Sequence, residues 1–198
     1  MDTILQAQFE KAADALANGE PITLGDVKGI SPAELEAVYA VGFNYYRTGR
    51  IADAEKIFKF LCMFDHLNQK YWTGLGAVLQ VEKRIDRAIP CYGYAMMLDL
   101  DNPKPQYHLA ECYLALGDKE AALATLEMLA KNVKPTSEAG RTYLAKGIQL
   151  KAVAEKLSDE PSPAAKALDQ KATEMLGAFG VPADPEELKK MHKEAAHA

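Results

Sequence analysis

Residues Gln69–Asn102 read QKYWTGLGAVLQVEKRIDRAIPCYGYAMMLDLDN. Trp72, Leu75, Gly76 and Leu79 recur at i, i+3, i+4 and i+7, the stripe that one face of a helix presents. After Glu82–Lys83 a second stripe follows, Ala88, Tyr92 and Ala95. Such a segment predicts two helices that return antiparallel. Each carries a small residue where the helix axes approach to about 8–10 Å and a large side chain does not fit. The segment is 34 residues long, and its neighbours Leu35–Asn68 and Pro103–Thr136 align with it without gaps. Position four holds Val38, Trp72 and Gln106, and position seven Val41, Leu75 and Leu109. Position eight is always small: Gly42, Gly76, Ala110. Position eleven holds Tyr45, Leu79 and Tyr113, position twenty Ala54, Ala88 and Ala122, and position twenty-four Phe58, Tyr92 and Leu126.

A period of 34 with this order of large and small residues is the tetratricopeptide pattern. The expected fold is an all-α tetratricopeptide-repeat α-solenoid of three helix-turn-helix repeats, 35–68, 69–102 and 103–136. Thr48–Gly49 and Leu116–Gly117 supply helix C-caps between paired helices, where the second repeat has Glu82–Lys83. The proline expected at position thirty-two is replaced by His66, Leu100 and Lys134. Pro90 removes a backbone donor from the second repeat's second helix and predicts a late start or slight kink there.

Ser31-Pro32-Ala33-Glu34 is a capping box with proline at the first helical position, so it sets the start of the first repeat. Upstream, residues 1–30 read as an amphipathic helix on Ile4, Leu5, Phe9, Ala12 and Leu16, followed by a connector. Downstream, Ser137–Leu157 reads as a capping helix with Tyr143, Leu144, Ile148, Leu150 and Val153 turned inward. Residues 158–198 are punctuated by Pro161, Pro163, Pro182 and Pro185, and are expected to be partly disordered or loosely docked.

Composition agrees with helices. Ala (32) and Leu (22) outnumber Val, Ile and Thr together (24), and β-branched side chains lose rotamer freedom in helices. A net charge of −5 argues against general nucleic-acid binding. No apolar run reaches the roughly 18 residues of a membrane span. The acidic, amphipathic N-terminus is unlike a secretory signal, which places the chain in the cytoplasm. Cys62, Cys91 and Cys112 then read as reduced core thiols.

Repeat packing leaves the stripe at positions five, nine and twelve unused. It holds Tyr39, Phe43 and Tyr46 in the first repeat, Thr73, Ala77 and Gln80 in the second, and Tyr107, Glu111 and Leu114 in the third. Three large aromatics beside the packing stripe are out of place on a solvated surface, and aromatics with a polar tip suit peptide interfaces. These nine residues are the candidate groove. Chemistry finds less support. Gly74-Leu75-Gly76 lacks the third glycine of a nucleotide loop. His108 and Cys112 are two ligands where zinc needs more, and His192 and His197 lack a metalloprotease pattern. No nucleophile, base and orienting group assemble from neighbouring positions, so neither catalysis nor a cofactor is expected.

The first repeat, with YWTGLGAVLQ and YHLAECYLALGD, resembles one tetratricopeptide family beyond the general pattern. That family is the class II chaperones of type III secretion systems, and the likeness spans about residues 3–157. Its most specific pieces are Phe43-Asn44, Phe60-Leu61-Cys62, Asp65-His66 and Gly74-Leu75-Gly76-Ala77. The resemblance implies that an extended N-terminal segment of a translocator, with a Pro-x-Leu-x-x-Pro type motif, enters the concave groove and meets Tyr39, Phe43 and Tyr46. It also implies a weak homodimer through the N-terminal helix, and in some members a partnership with an AraC-type regulator. The rival expectation is a general tetratricopeptide adaptor that grips a peptide carboxylate, with Arg47 and Lys70 as the available cations.

Overall fold

The structure is a computed structural model that describes residues 17–178, with residues 6, 7, 10 and 13–15 ahead of them. The N-terminal stripe of Ile4, Leu5, Phe9, Ala12 and Leu16, and residues 179–198, lie outside the described residues. A short helix α1 (Leu24–Lys28) occupies the connector, capped by Thr23 and closed by Gly29 at φ 68°. Six helices then form three antiparallel pairs: α2 (Pro32–Arg47) with α3 (Ile51–Phe64), α4 (Gln69–Val81) with α5 (Ile85–Leu98), and α6 (Pro103–Leu116) with α7 (Lys119–Asn132). Two more follow, α8 (Glu138–Ala154) and α9 (Pro163–Ala178). Among the described residues there is no strand.

From α2 to α8 each helix packs on the next, and the first helices of successive pairs also touch, α2 on α4, α4 on α6, and α6 on α8. One layer therefore consists of first helices and a second layer of α3, α5 and α7. The small residues explain how closely these pairs approach. A Cβ on Gly42 would lie 2.7 Å from Ile57 Cγ2, and one on Gly76 would lie 2.9 Å from the Tyr92 ring. Ala54, Ala88, Ala110 and Ala122 are fully buried, and Phe58, Tyr92 and Leu126 beside them form the core.

Position four shows how a departure from the pattern is absorbed. Trp72 Nε1 donates to the His66 carbonyl at 2.8 Å, tying the first turn of α4 to the preceding loop. Thirty-four residues on, Gln106 Nε2 donates to the Leu100 carbonyl at 2.6 Å. The amide replaces the indole as donor, and Gln106 is completely buried.

Ser31 and Glu34 close the expected capping box, Ser31 N–H donating to Glu34 Oε2 at 2.8 Å and Glu34 N–H to Ser31 Oγ at 3.2 Å. Three expectations change. Pro90 does not delay its helix: α5 begins at Ile85, and Pro90 sits inside it on the exposed side. Val41 is 45% exposed because its repeat has no repeat before it to pack on, whereas Leu75 and Leu109 are buried. On the capping helix, Ile148 (74% exposed) and Val153 (54%) face outward. The buried side of α8 is Gly140, Gly147 and Ala154, flanked by Leu144 and Leu150. A Cβ on Gly147 would lie 2.8 Å from Leu129 Cδ2, so close approach, not bulk, seats this helix.

The start of the tail is docked. Ser162 Oγ donates to the Leu116 carbonyl, Lys119 Nζ reaches the Leu157 carbonyl at 3.2 Å and Asp159 at 2.7 Å, Ala165 is buried, and Leu168 packs on the main core. These contacts end the chain's free run at 158 and fold 163–178 into a helix against α6.

Candidate functional site: an aromatic groove on the first helices

The first helices of the three pairs enclose an open cavity of about 420 Å³. Seven of the nine candidate residues line it. Tyr39, Phe43 and Tyr46 come from α2, Thr73, Ala77 and Gln80 from α4, and Glu111 from α6. The i, i+4, i+7 spacing on α2 puts its three aromatics along one wall. Tyr39 stacks on Phe43 with centroids 6.2 Å apart, meets Phe58 edge-on at 5.8 Å and leans on Tyr71 at 5.8 Å. Burial pushes the Tyr39 hydroxyl pKa up. Phe43 is 41% exposed, the most open ring of the wall.

Opposite, α4 leaves room. Ala77 and Gly74 are small, and Phe58 reaches from α3 to the cavity over Gly74, where a Cβ would lie 2.4 Å from its ring. Thr73 Oγ1 donates to its own helix at Gln69 O (2.8 Å), so its hydroxyl is satisfied within α4.

The floor is polar and satisfied. Tyr92 Oη donates to Gln80 Oε1 at 2.9 Å, and its ring stacks on His108 with centroids 5.5 Å apart. His108 Nδ1 lies 2.7 Å from Glu111 Oε2. Burial alone would raise the Glu111 pKa, but its interactions with His108, Tyr107 and Gln80 outweigh it and hold the carboxyl below its usual range.

Two candidates lie off the lining. The Tyr107 ring is taken up against Tyr143 of the capping helix, with centroids 5.4 Å apart, so its neighbour His108 faces the cavity instead. Leu114 stands one turn past Glu111, where the lining on α6 ends. Residues outside the stripe also join: Phe58 and Tyr92 from second helices, and Gln69, Lys70 and Lys104 from the starts of α4 and α6. Glu36, Lys70 and Lys104 share position two of their repeats, a 34-residue ladder of charge visible in the sequence once the period is known. Lys70 is engaged on this ladder, bonded to both oxygens of Glu36 at 2.7 and 2.8 Å and lying 4.6 Å over the Tyr39 ring. Arg47 does not line the cavity.

The Tetratricopeptide repeat signature matches residues 35–68 and 82–146. "Low calcium response locus protein H" of Yersinia pseudotuberculosis is 38% identical over 111 residues, 56% of this chain and 66% of that protein. "Chaperone protein SicA" of Salmonella typhimurium is 32% identical over 139 residues, 69% of this chain and 84% of SicA. The Yersinia enterocolitica type III secretion chaperone SycD, solved with a peptide of the translocator YopD, superposes with a TM-score of 0.59. It is 29% identical, and the match covers 64% of this chain and 95% of SycD. The chain belongs to the type III secretion chaperone family.

For a member of this chaperone family, the remaining chemistry is sparse. Burial raises the thiols of Cys91 and Cys112 to about 11 and about 12, and that of Cys62 further, so they are unreactive core groups. Among the described residues, no three His, Cys, Asp or Glu side chains gather as metal ligands would. No described helix is long and apolar enough to cross a membrane.

Proposed function

We propose that this protein is a cytoplasmic chaperone that holds an extended, proline-bearing segment of a type III translocator in the groove of α2, α4 and α6. The observation that carries this reading is the aromatic wall of Tyr39, Phe43 and Tyr46 facing the small residues Gly74 and Ala77 across an open cavity. Side chains spaced along an extended peptide fill such gaps one by one. A segment stiffened by prolines has little conformational freedom to lose on entry. The groove's work is binding: it covers apolar surface of a client whose membrane-inserting parts would otherwise aggregate, and releases it intact. Catalysis has no place in this mechanism, and neither does a cofactor.

The adaptor reading is weaker here. Its two cations do not converge, since Lys70 is occupied by Glu36 and Arg47 stands outside the cavity.

Phe43→Ala tests the proposal, because Phe43 is exposed in the free protein and its loss leaves the core intact. Calorimetric titration with a translocator-type peptide carrying prolines and leucine at the Pro-x-Leu-x-x-Pro spacing is expected to show a loss of about 2 kcal/mol, the scale of an aromatic hot spot. Unchanged affinity in a folded Phe43→Ala protein would remove the groove from client binding.

A further inference from the structure

The turn between paired helices adopts the same backbone in all three repeats. Position fifteen is left-handed each time: Gly49 at φ 77°, Lys83 at φ 64° and Gly117 at φ 72°. Glycine takes this conformation freely, whereas a side chain crowds its own carbonyl there. Among the described residues Lys83 alone is a non-glycine with positive φ. Of the three positions it is also the one that lines the groove. Strain kept where glycine would relieve it points to a use for the side chain.

The charges of the groove say what that use is. Lys70 is neutralised by Glu36, and Glu111 is engaged by His108 at 2.7 Å. Lys83 and Lys104 remain, and neither has a carboxylate within 4 Å among the described residues. The groove thus carries two uncompensated positive charges in a chain whose net charge is −5. A concave site focuses such a charge onto whatever enters it.

We propose that Lys83 and Lys104, which stand at opposite ends of the groove, are specificity-determining residues that each favour an acidic side chain at the matching end of the client segment. This rests on the groove being the client site, and it adds to the aromatic wall a charge requirement that the wall cannot impose. The carboxylate sought is an internal Asp or Glu, because the segment held is part of a longer chain.

The test uses short labelled peptides with prolines and leucine at the Pro-x-Leu-x-x-Pro spacing, acetylated and amidated at their ends. Glu or Gln is placed at each flanking position in turn. Anisotropy titrations compare the full-length wild type with Lys83→Gly, Lys104→Gln and the double variant. At a placement near each end the Glu peptide should bind the wild type roughly two- to fivefold tighter than its Gln partner at low salt, the range of exposed charge pairs. Molar salt should erase the preference. Each single variant should abolish the Glu-over-Gln ratio at its own end and keep it at the other, and the double variant should abolish both. Lys83→Gly should also raise the unfolding midpoint, which separates lost recognition from lost folding. Equal binding of Glu and Gln peptides at every placement overturns the proposal, as does a preference that survives loss of both lysines. A preference confined to peptides with a free C-terminal carboxylate overturns it in favour of terminal-carboxylate recognition. If no peptide binds at all, the groove reading itself falls.

Discussion

Gly74 shows how much one residue settles. A nucleotide loop and a packing contact both use glycines in this spacing, and only the setting separates them. Gly74 lies inside α4, and the buried Phe58 ring rests where its Cβ would be. That ring is itself held edge-on by Tyr39, so making room for a Cβ breaks its packing. Gly74→Ala is therefore expected to destabilise the fold by about 1–3 kcal/mol through overpacking, despite the better helix propensity of alanine. Urea unfolding checks this, and a neutral or stabilising result would mean that the ring yields. Gln106 is the opposite case. It stands where the repeat before it has Trp72, and its amide keeps the bond to the preceding loop. A repeat pattern records which positions matter but not which different side chains can do the same work there.

At the scale of elements, the paired helices were legible because each has a periodic apolar stripe and a small-residue contact, and these recur at 34 residues. The elements outside the array were less legible. The apolar residues of α8 suggested an inward face, but glycines at 140 and 147 let the helix approach closely, and Ile148 and Val153 turn outward. Helix α9 carries a weak stripe of its own, and what holds it is tertiary: Ser162 on the Leu116 carbonyl, Lys119 on Leu157 and Asp159, and Leu168 on the core. Leu168→Ala should lower stability by about 1–2 kcal/mol, less than a fully buried leucine because Leu168 is half-buried. Hydrogen exchange should show the loss of protection concentrated in 158–178. If protection there is unchanged, Leu168 is not what docks the helix.

Over the whole molecule, the second and third repeats meet beneath the groove, where Tyr92 bonds Gln80 and stacks on His108, which in turn engages Glu111. Because the folded Glu111 carboxyl has a lowered pKa, the unfolded chain binds more protons than the folded one as pH falls past the ordinary value of 4.5. Its contribution is fully present above that pH and is lost as pH drops through the folded value. Glu111→Gln should therefore flatten the acid limb of a thermal-stability profile below about pH 4.5. An unchanged slope would show that the carboxylate is not coupled to folding. Sequence alone determined the repeat length, the helical pairing, the family likeness and the aromatic wall, because all of these follow from side-chain order along single helices. Only the tertiary structure decided that His108 and not Tyr107 faces the cavity, that Lys70 is already occupied, and that Phe58 and Lys83 reach it. Those outcomes depend on how neighbouring repeats rotate against each other, a relation between residues far apart in the chain that no single helix records.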